Sequence, residues 1–322
     1  MILSAGLSPA WQSTLLFDRV ERGEVNRARE SHWIPSGKVI NAARVAHRIH
    51  EHWTRHGERG TRAGFPSQGI TILGGPAGEA MQAALRAEGI AMVAVPVATP
   101  SRVCTTVIDA SDRVMTELVE NAGPISPAEL ESFVAAFQGL APSAKFAVLT
   151  GSMPKGAPAN LYRRLMESLR CPVVLDIRGP ELTEALALRP FLVKPNREEL
   201  ARTVGRPLAN DADLRRAMRA MHERGAEWVV VSQGKGSLLA SGRGKFFQLR
   251  PPHVVSLNPI GCGDSLAAGI AQAVARGDDP LDAIRFGMAL GAENATTLLP
   301  AVFDVARAAV RVSEVAVEEL PG

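Results

Sequence analysis

The sequence predicts an α/β fold: a central, mostly parallel sheet with helices on both faces, and a small second β-sheet projecting from it. Three observations predict it. From Gly69 onward, short β-branched runs alternate with amphipathic stretches of helical period, and strand, helix, strand in repetition is the pattern of a parallel sheet covered on both sides. Residues 12–34 and 102–119 break that rhythm and read as strands without a helix between them. With 46% hydrophobic against 21% charged residues in 322 positions, the chain can bury a large core.

The elements follow in order. Residues 1–17 carry no side-chain charge, but they lack a basic leading segment and are interrupted by Ser4, Ser8, Pro9 and Gln12, so they read as part of the fold rather than a signal peptide. Residues 12–34 supply the first strands of the small sheet, which is expected to be antiparallel. A glycine-bearing turn then opens a helix at 42–49, and the polar stretch from Glu51 to Gln68 reads as an exposed connection. Strands are expected at 70–73, 92–95, 146–150, 173–176, 191–194 and 228–232. Helices are expected at 77–88, 127–140, 158–169, 180–187, 197–204 and 213–224, several opening with Pro or an acid in the first turn. The second part of the small sheet is a hairpin, 103–109 and 114–119, turning at Ser111-Asp112. The expected organisation is one domain over 1–322.

Composition excludes several function classes. Lys+Arg number 36 against 33 Asp+Glu, a net charge of +3, and 30 of the 36 cations are arginines scattered among carboxylates. A nucleic-acid surface needs clustered charge or an aromatic platform, and neither is present with aromatics at 5% and one tyrosine. Three widely spaced cysteines without a CxxC pair point to a reducing, cytoplasmic compartment. His47, His50, His52 and His56 cluster without any zinc spacing, and no uncharged run has the length of a membrane span.

Chemistry concentrates in a few glycine-rich segments. The strongest is Asn258-Pro-Ile-Gly-Cys-Gly-Asp264, followed by an alanine-rich helix through Arg276. Glycines permit a tight turn and the first amides of a helix are unpaired, so Gly261, Cys262 and Gly263 can face an anion while Asp264 stands as a proton acceptor. A thiol at that position, Cys262, invites a lowered pKa. The second segment is Pro35-Ser-Gly37-Lys38-Val-Ile-Asn41, where Lys38 and Asn41 share one helical face. No G-x-x-x-x-G-K-[ST] pattern occurs. A nucleotide would instead meet Lys194-Pro-Asn196-Arg-Glu-Glu199 and Ser232-Gln233-Gly234-Lys235-Gly236, both just after strands, although a capping Asn and a hairpin turn explain them equally well.

In their shared order these segments, together with Leu7-Ser-Pro-Ala, Gly23-Glu-Val-Asn-Arg-Ala, Thr116-Glu-Leu, Thr150-Gly-Ser-Met-Pro154 and Val230-Val-Ser-Gln-Gly234, make the chain similar to the ribokinase or PfkB-type carbohydrate kinases, and within them to the 1-phosphofructokinase and tagatose-6-phosphate kinase branch. The resemblance implies a three-layer ribokinase-like fold with a β-sheet lid, in which ATP and Mg²⁺ phosphorylate a hydroxyl of a phosphosugar such as fructose 1-phosphate or tagatose 6-phosphate. It implies Asp264 as base and Gly261–Gly263 as the anion hole. Gln12, Gly37, Lys38, Asn41 and Arg102 would meet the substrate, with Lys38 and Arg102 on its phosphate. Lys194, Asn196, Ser232, Gln233, Gly234, Gly236 and Asn294 would border the nucleotide, and Asn196 and Glu199 would organise the metal. A homodimer through the lid is also implied.

Three departures stand out from the family pattern. Gln12 replaces an acidic residue that receives sugar hydroxyls, Val39 follows Lys38 where the family has glycine, and Asp176-Ile-Arg178-Gly lacks the small hydroxyl residues usual after the aspartate. Two other readings therefore compete: a sugar-phosphate or nucleotide sensor with weak turnover, suggested by Gln12 and Val39, and a kinase for an unphosphorylated sugar or nucleoside, in which Lys38 and Arg102 would lack an anion.

Overall fold

The computed structural model describes residues 1–57, 64–234 and 236–321. The chain opens with β1 (Ile2–Ala5), then leaves the main sheet for β2 (Ala10–Phe17) and β3 (Glu30–Ser36) before α1 (Lys38–His56) returns along its face. The units β4 (Ser67–Leu73), α2 (Gly75–Ala87) and β5 (Met92–Pro96) follow. β6 (Arg102–Asp109) and β7 (Val114–Val119) complete the small sheet. Next come α3 (Pro127–Leu140), β8 (Phe146–Thr150), α4 (Leu161–Glu167), β9 (Val173–Asp176), α5 (Gly179–Leu186), β10 (Leu192–Val193), α6 (Arg197–Val204), α7 (Asp211–Glu223) and β11 (Trp228–Ser232). The chain ends through β12 (Leu238–Gly242), β13 (Lys245–Arg250), α8 (Cys262–Arg276), α9 (Pro280–Ala295), α10 (Val305–Arg311) and β14 (Ala316–Leu320).

The ten strands of the main sheet lie in the order β14-β13-β12-β11-β10-β9-β8-β1-β4-β5. Pairing is parallel from β11 through to β5, and the three strands beyond β11 are antiparallel. The pleat sends alternate side chains to opposite layers. Ala147 and Leu149 pack with Phe133 and Phe137 on one side, while Phe146 and Val148 pack with Val45, Ile49, Ile270 and Leu290 on the other. A continuous apolar run such as Phe146–Thr150 is what a strand buried on both faces requires. Two helices open with reciprocal caps: Ser126 with Glu129 for α3, and Asn196 with Glu199 for α6.

Several expectations change. β1 escaped the sequence reading, yet it pairs with both β4 and β8 at the middle of the sheet. Only four residues long and containing Ser4, it offers neither alternation nor length. The small sheet, ordered β3-β2-β6-β7, is mixed rather than antiparallel because its central pair, β2 and β6, runs parallel. Both strands leave the body in the same direction, and each then turns back into its own return strand.

Helix α1 extends well beyond 42–49 and takes in most of the first part of the expected connection. The polar turn stays helical because Trp53 stacks on Phe286 at 5.4 Å and the Arg276 guanidinium covers its ring at 3.9 Å. The rest of that connection includes residues 58–63, which lie outside the described residues. Among the described residues, no helix is long and apolar enough to cross a membrane.

One partly buried ion pair ties α1 to the end of α2, and its arginine also reaches the small sheet. Arg44 is fully buried, with Nε donating to Glu88 Oε2 at 2.6 Å, and Nη2 donating to Glu88 Oε1 at 2.9 Å and to the Pro35 carbonyl at 2.8 Å. Removing one partner of such a pair strands the other charge in the interior. Glu88→Ala is therefore expected to cost about 3 kcal/mol in urea unfolding; a loss under about 1 kcal/mol would show that water reaches the guanidinium and that the pair matters little.

Candidate active site

The carboxyl ends of β8, β9 and β10 and the first turns of α1 and α8 converge on one carboxylate. Asp176 closes the buried run Val173–Asp176 and is 1% exposed. Its Oδ1 lies 3.2 Å from Lys38 Nζ and 3.1 Å from Lys194 Nζ, and its Oδ2 accepts from Thr150 Oγ1 at 3.2 Å. Burial works against its charge, but Lys194 and Lys38 outweigh burial and hold it below the usual carboxylate range. The same pairing acts on Lys38: burial opposes the ammonium, yet Asp176, Glu199 and Asp264 push its pKa up. Lys38 thus stays cationic, and both lysines are fixed in place on one carboxylate.

Asp264 stands in the first turn of α8 and accepts from Asn41 Nδ2 at 2.8 Å, while Asn41 Oδ1 takes Ser36 Oγ at 3.2 Å. Burial first and the Asp176 charge second raise Asp264 to about 6, against the opposing pull of Lys38, Asn41 and Lys194. A carboxylate near neutrality is a usable proton acceptor. Beside it, the amides of Gly263 and Asp264 sit in the first helical turn, where no carbonyl four residues back can receive them. A Cβ placed on Gly263 would stand 3.1 Å from Lys194 Nζ, so the lysine reaches the helix mouth.

The turn before α8 is held from behind. Gly261 has φ of 85°, and a Cβ there would press on Ala301 N and Asn294 Oδ1, both at 3.2 Å. Asn294 is fully buried, donates to the Ile260 carbonyl at 2.8 Å and accepts from Ala301 N at 2.6 Å. Its observed contacts are thus to the loop backbone, and it acts on the site by shaping that loop. Cys262 corrects an expectation: burial, with the Asp264 charge adding to it, pushes the thiol up to about 11 despite a 3.3 Å contact from Asn294 Nδ2. Desolvation overrides the helix terminus, so the thiol is neutral.

The remaining residues fall into three groups. Gly37 (φ 96°) caps α1, and a Cβ there would lie 2.8 Å from the Ser8 carbonyl and 2.9 Å from Pro9 Cα. Arg102 reaches the same strap, donating to Ser8 O and Pro9 O, and also to Glu120 O. Gln12 is only 3% exposed, and its amide donates to Thr106 Oγ1 at 2.9 Å and to Ser13 O within the small sheet. The structure therefore does not bring it to Lys38 and Asp176.

Asn196 and Glu199 form the α6 capping box, which uses Asn196 Oδ1 and Glu199 Oε2 and leaves Glu199 Oε1 facing Lys38 at 3.9 Å and Arg178 at 3.7 Å. Ser232 bridges to Asn196, Gln233 accepts from Arg197 at 2.8 Å, and Gly234 (φ 64°) and Gly236 complete a turn. Lys235 lies outside the described residues.

Lys38, Arg102, Asp176 and Glu199 line one cavity of about 150 Å³ with Ser8, Ser152 and Arg178. Of these, Asp176, Ser8, Ser152 and Arg178 were not on the sequence-derived set of site residues, and neither was Thr150. The signal for Asp176 was available: an acid ending a buried apolar run at the carboxyl edge of a parallel sheet. A larger cavity of about 510 Å³, lined by His47, His52, His56 and Arg48, lies elsewhere, against Phe303–Ala306. Among the described residues no group of three or more His, Cys, Asp or Glu is placed to hold a metal ion. Glu199 Oε1, outside the capping box and facing Lys38 and Arg178, is the carboxylate oxygen here that a hydrated divalent ion could meet.

Comparison with known proteins agrees with this geometry. Residues 12–301 match the pfkB family carbohydrate kinase model. The fold superposes on a possible 1-phosphofructokinase from Thermotoga maritima with a TM-score of 0.87 at 19% identity, covering 99% of each chain. It superposes on phosphofructokinase-2 from Escherichia coli, crystallised with substrates and products, with a TM-score of 0.84 at 23% identity over 97% of this chain and 98% of that one. A putative phosphofructokinase from Staphylococcus aureus gives 0.76 at 20% identity over the whole of both chains.

The raised pKa of Asp264 yields a paired prediction. Asp264→Asn should abolish turnover by several orders of magnitude, and wild-type kcat/KM should fall as pH drops through about 6. Because the folded state carries this charge at a cost above that pH, Asp264→Asn should also be more stable at pH 7.5, by on the order of 2 kcal/mol. The gain should shrink toward zero near pH 4. An active Asp264→Asn enzyme would remove the base assignment, and an unchanged melting temperature would remove the raised pKa.

Proposed function

The chain belongs to the pfkB family of carbohydrate kinases, which makes it an ATP-dependent carbohydrate kinase, and from that premise we propose that it phosphorylates a hydroxyl of a phosphosugar such as fructose 1-phosphate or tagatose 6-phosphate. The observation that carries this reading is the cavity in which Lys38 and Arg102 stand with the hydroxyls of Ser8 and Ser152. With an unphosphorylated acceptor, Arg102 would meet backbone carbonyls and no anion, and Lys38 would keep only the carboxylates it shares with Lys194 and Arg178. The Escherichia coli phosphofructokinase-2 has been crystallised with fructose 6-phosphate, which supports the same class of acceptor.

The residues divide the work as follows. Asp264 accepts the acceptor's hydroxyl proton as that oxygen bonds to the γ-phosphorus and the bond from phosphorus to the β,γ-bridging oxygen breaks, releasing ADP. Phosphoryl transfer asks mainly for positioning and charge stabilisation. Amides at the α8 terminus and Lys194 meet the charge on the transferring group, and Asp176 holds Lys194 and Lys38 in place. Glu199 and Asn196 would hold Mg²⁺ through water, and the ion would neutralise phosphate charge. The nucleotide would lie along the Ser232–Gly236 turn. Residues 1–322 act as one kinase unit, with β2, β3, β6 and β7 as its lid.

ADP release from ATP and Mg²⁺ against fructose 1-phosphate, fructose 6-phosphate, tagatose 6-phosphate, ribose, fructose and a nucleoside tests the reading. Turnover on a phosphosugar, lost in Asp264→Asn, is the expected result. Turnover confined to ribose, fructose or the nucleoside would overturn the acceptor class. Binding of ATP or a phosphosugar without turnover would favour a sensor, in line with Gln12 being tied to Thr106.

The lid offers a surface for a second copy of the chain. Strand register places Trp33 and Leu118 in one row across the small sheet with Ser13 and Thr105, and Val114 on the same face. All three are about half exposed, and phosphofructokinase-2 has a tetrameric form. Light scattering on the purified protein should report a dimer, converted to monomer by Leu118→Asp; a wild-type monomer at micromolar concentration would rule the lid dimer out.

A further inference from the structure

Arg178 occupies the acceptor cavity, and neither the family resemblance nor the mechanism above gives it a task. It sits at the N-cap of α5 on extended backbone, about half exposed, and lines the same cavity as Arg102. Its nearest carboxylate oxygen is Glu199 Oε1 at 3.7 Å, beyond hydrogen-bond length. That oxygen also faces Lys38 at 3.9 Å, and the other Glu199 oxygen is committed to the α6 cap. Arg102, by contrast, is pinned by three backbone carbonyls. The cavity therefore pairs a fixed guanidinium with one free to turn.

Charge balance points the same way. Among the lining groups, Lys38, Arg102 and Arg178 stand against Asp176 and Glu199, which leaves one positive charge in excess and none if Arg178 is removed. A phosphomonoester carries between about 1.5 and 2 negative charges at neutral pH, so the lining keeps a net attraction for one only with Arg178 in place. A guanidinium also presents a planar fork suited to phosphate oxygens.

We propose that Arg178 is a specificity-determining residue that closes on the acceptor's existing phosphate together with Arg102 and makes the enzyme select phosphorylated over unphosphorylated acceptors. The proposal rests on the reading that this cavity takes the acceptor.

Wild type, Arg178→Ser and Arg178→Lys are to be compared by steady-state kinetics on the preferred phosphosugar, on its unphosphorylated parent and on ATP, with calorimetric titration of the phosphosugar into nucleotide-free protein. Loss of one charged contact is expected to raise KM and the dissociation constant for the phosphosugar by about tenfold or more in Arg178→Ser, while kcat falls far less. The preference over the parent sugar should shrink by the same factor, KM for ATP should hold, and Arg178→Lys should recover part of the loss because it restores charge without the fork. Equal losses on phosphosugar and parent, a change confined to KM for ATP, or no change in either variant would overturn the assignment. Wild type active only on unphosphorylated acceptors would overturn the cavity reading and this proposal together, whereas a phosphosugar kinase indifferent to Arg178→Ser would overturn this proposal alone.

Discussion

A single buried carboxylate shared by two lysines organises this molecule's chemistry. Asp176 ends a strand covered on both faces, and no interior position tolerates an isolated charge. Lys38 from α1 and Lys194 from the end of β10 must therefore come to it, at 3.2 and 3.1 Å. One anion thus serves two cations. In the adjoining cavity Lys38, Arg102 and Arg178 stand against Asp176 and Glu199, which leaves one positive charge in excess there. The interaction also spans distant parts of the chain, so the catalytic geometry forms only when the sheet is complete.

The second constraint is backbone shape at two helix starts. Gly37 and Gly261 both have positive φ, and both are pressed by neighbouring backbone. Each aims a first turn at the cleft: α1 brings Lys38 and Asn41, and α8 brings Gly263 and Asp264. The hydrogen bond from Asn41 to Asp264 joins the two turns across the site. Asp264 is thus oriented by an uncharged partner, and burial and Asp176 raise its pKa against the pull of Lys38, Asn41 and Lys194.

Much of this was legible in the sequence, and the exceptions are physical. Asp264, Lys38, Asn41 and Lys194 were readable because glycine turns and helix starts are local signals. Asp176 was visible as a residue but not as a hub, since its importance comes from lysines brought together by tertiary structure. β1 is too short to show periodicity, and the parallel pairing of β2 with β6 depends on long-range register that local propensity does not encode. Cys262 misled because a helix terminus can be read from sequence while burial cannot. The capping box of Asn196 and Glu199 shows one residue pair serving both the ordinary structural purpose and the edge of the cleft.

The strap between β1 and β2 has a consequence for how such an enzyme can diversify. Gly37 packs against Ser8 and Pro9, and Arg102 donates to the carbonyls of both. The small sheet is therefore moored to the body at main-chain carbonyls of the strap, through the Arg102 guanidinium and the bare backbone of Gly37. Side chains farther out along β2, β3, β6 and β7 are released from any duty of holding the lid's angle, and mutation can rework them while the spacing between Arg102 and Lys38 persists. An architecture anchored in this way separates the part of the protein that drifts from the part that must keep its measure.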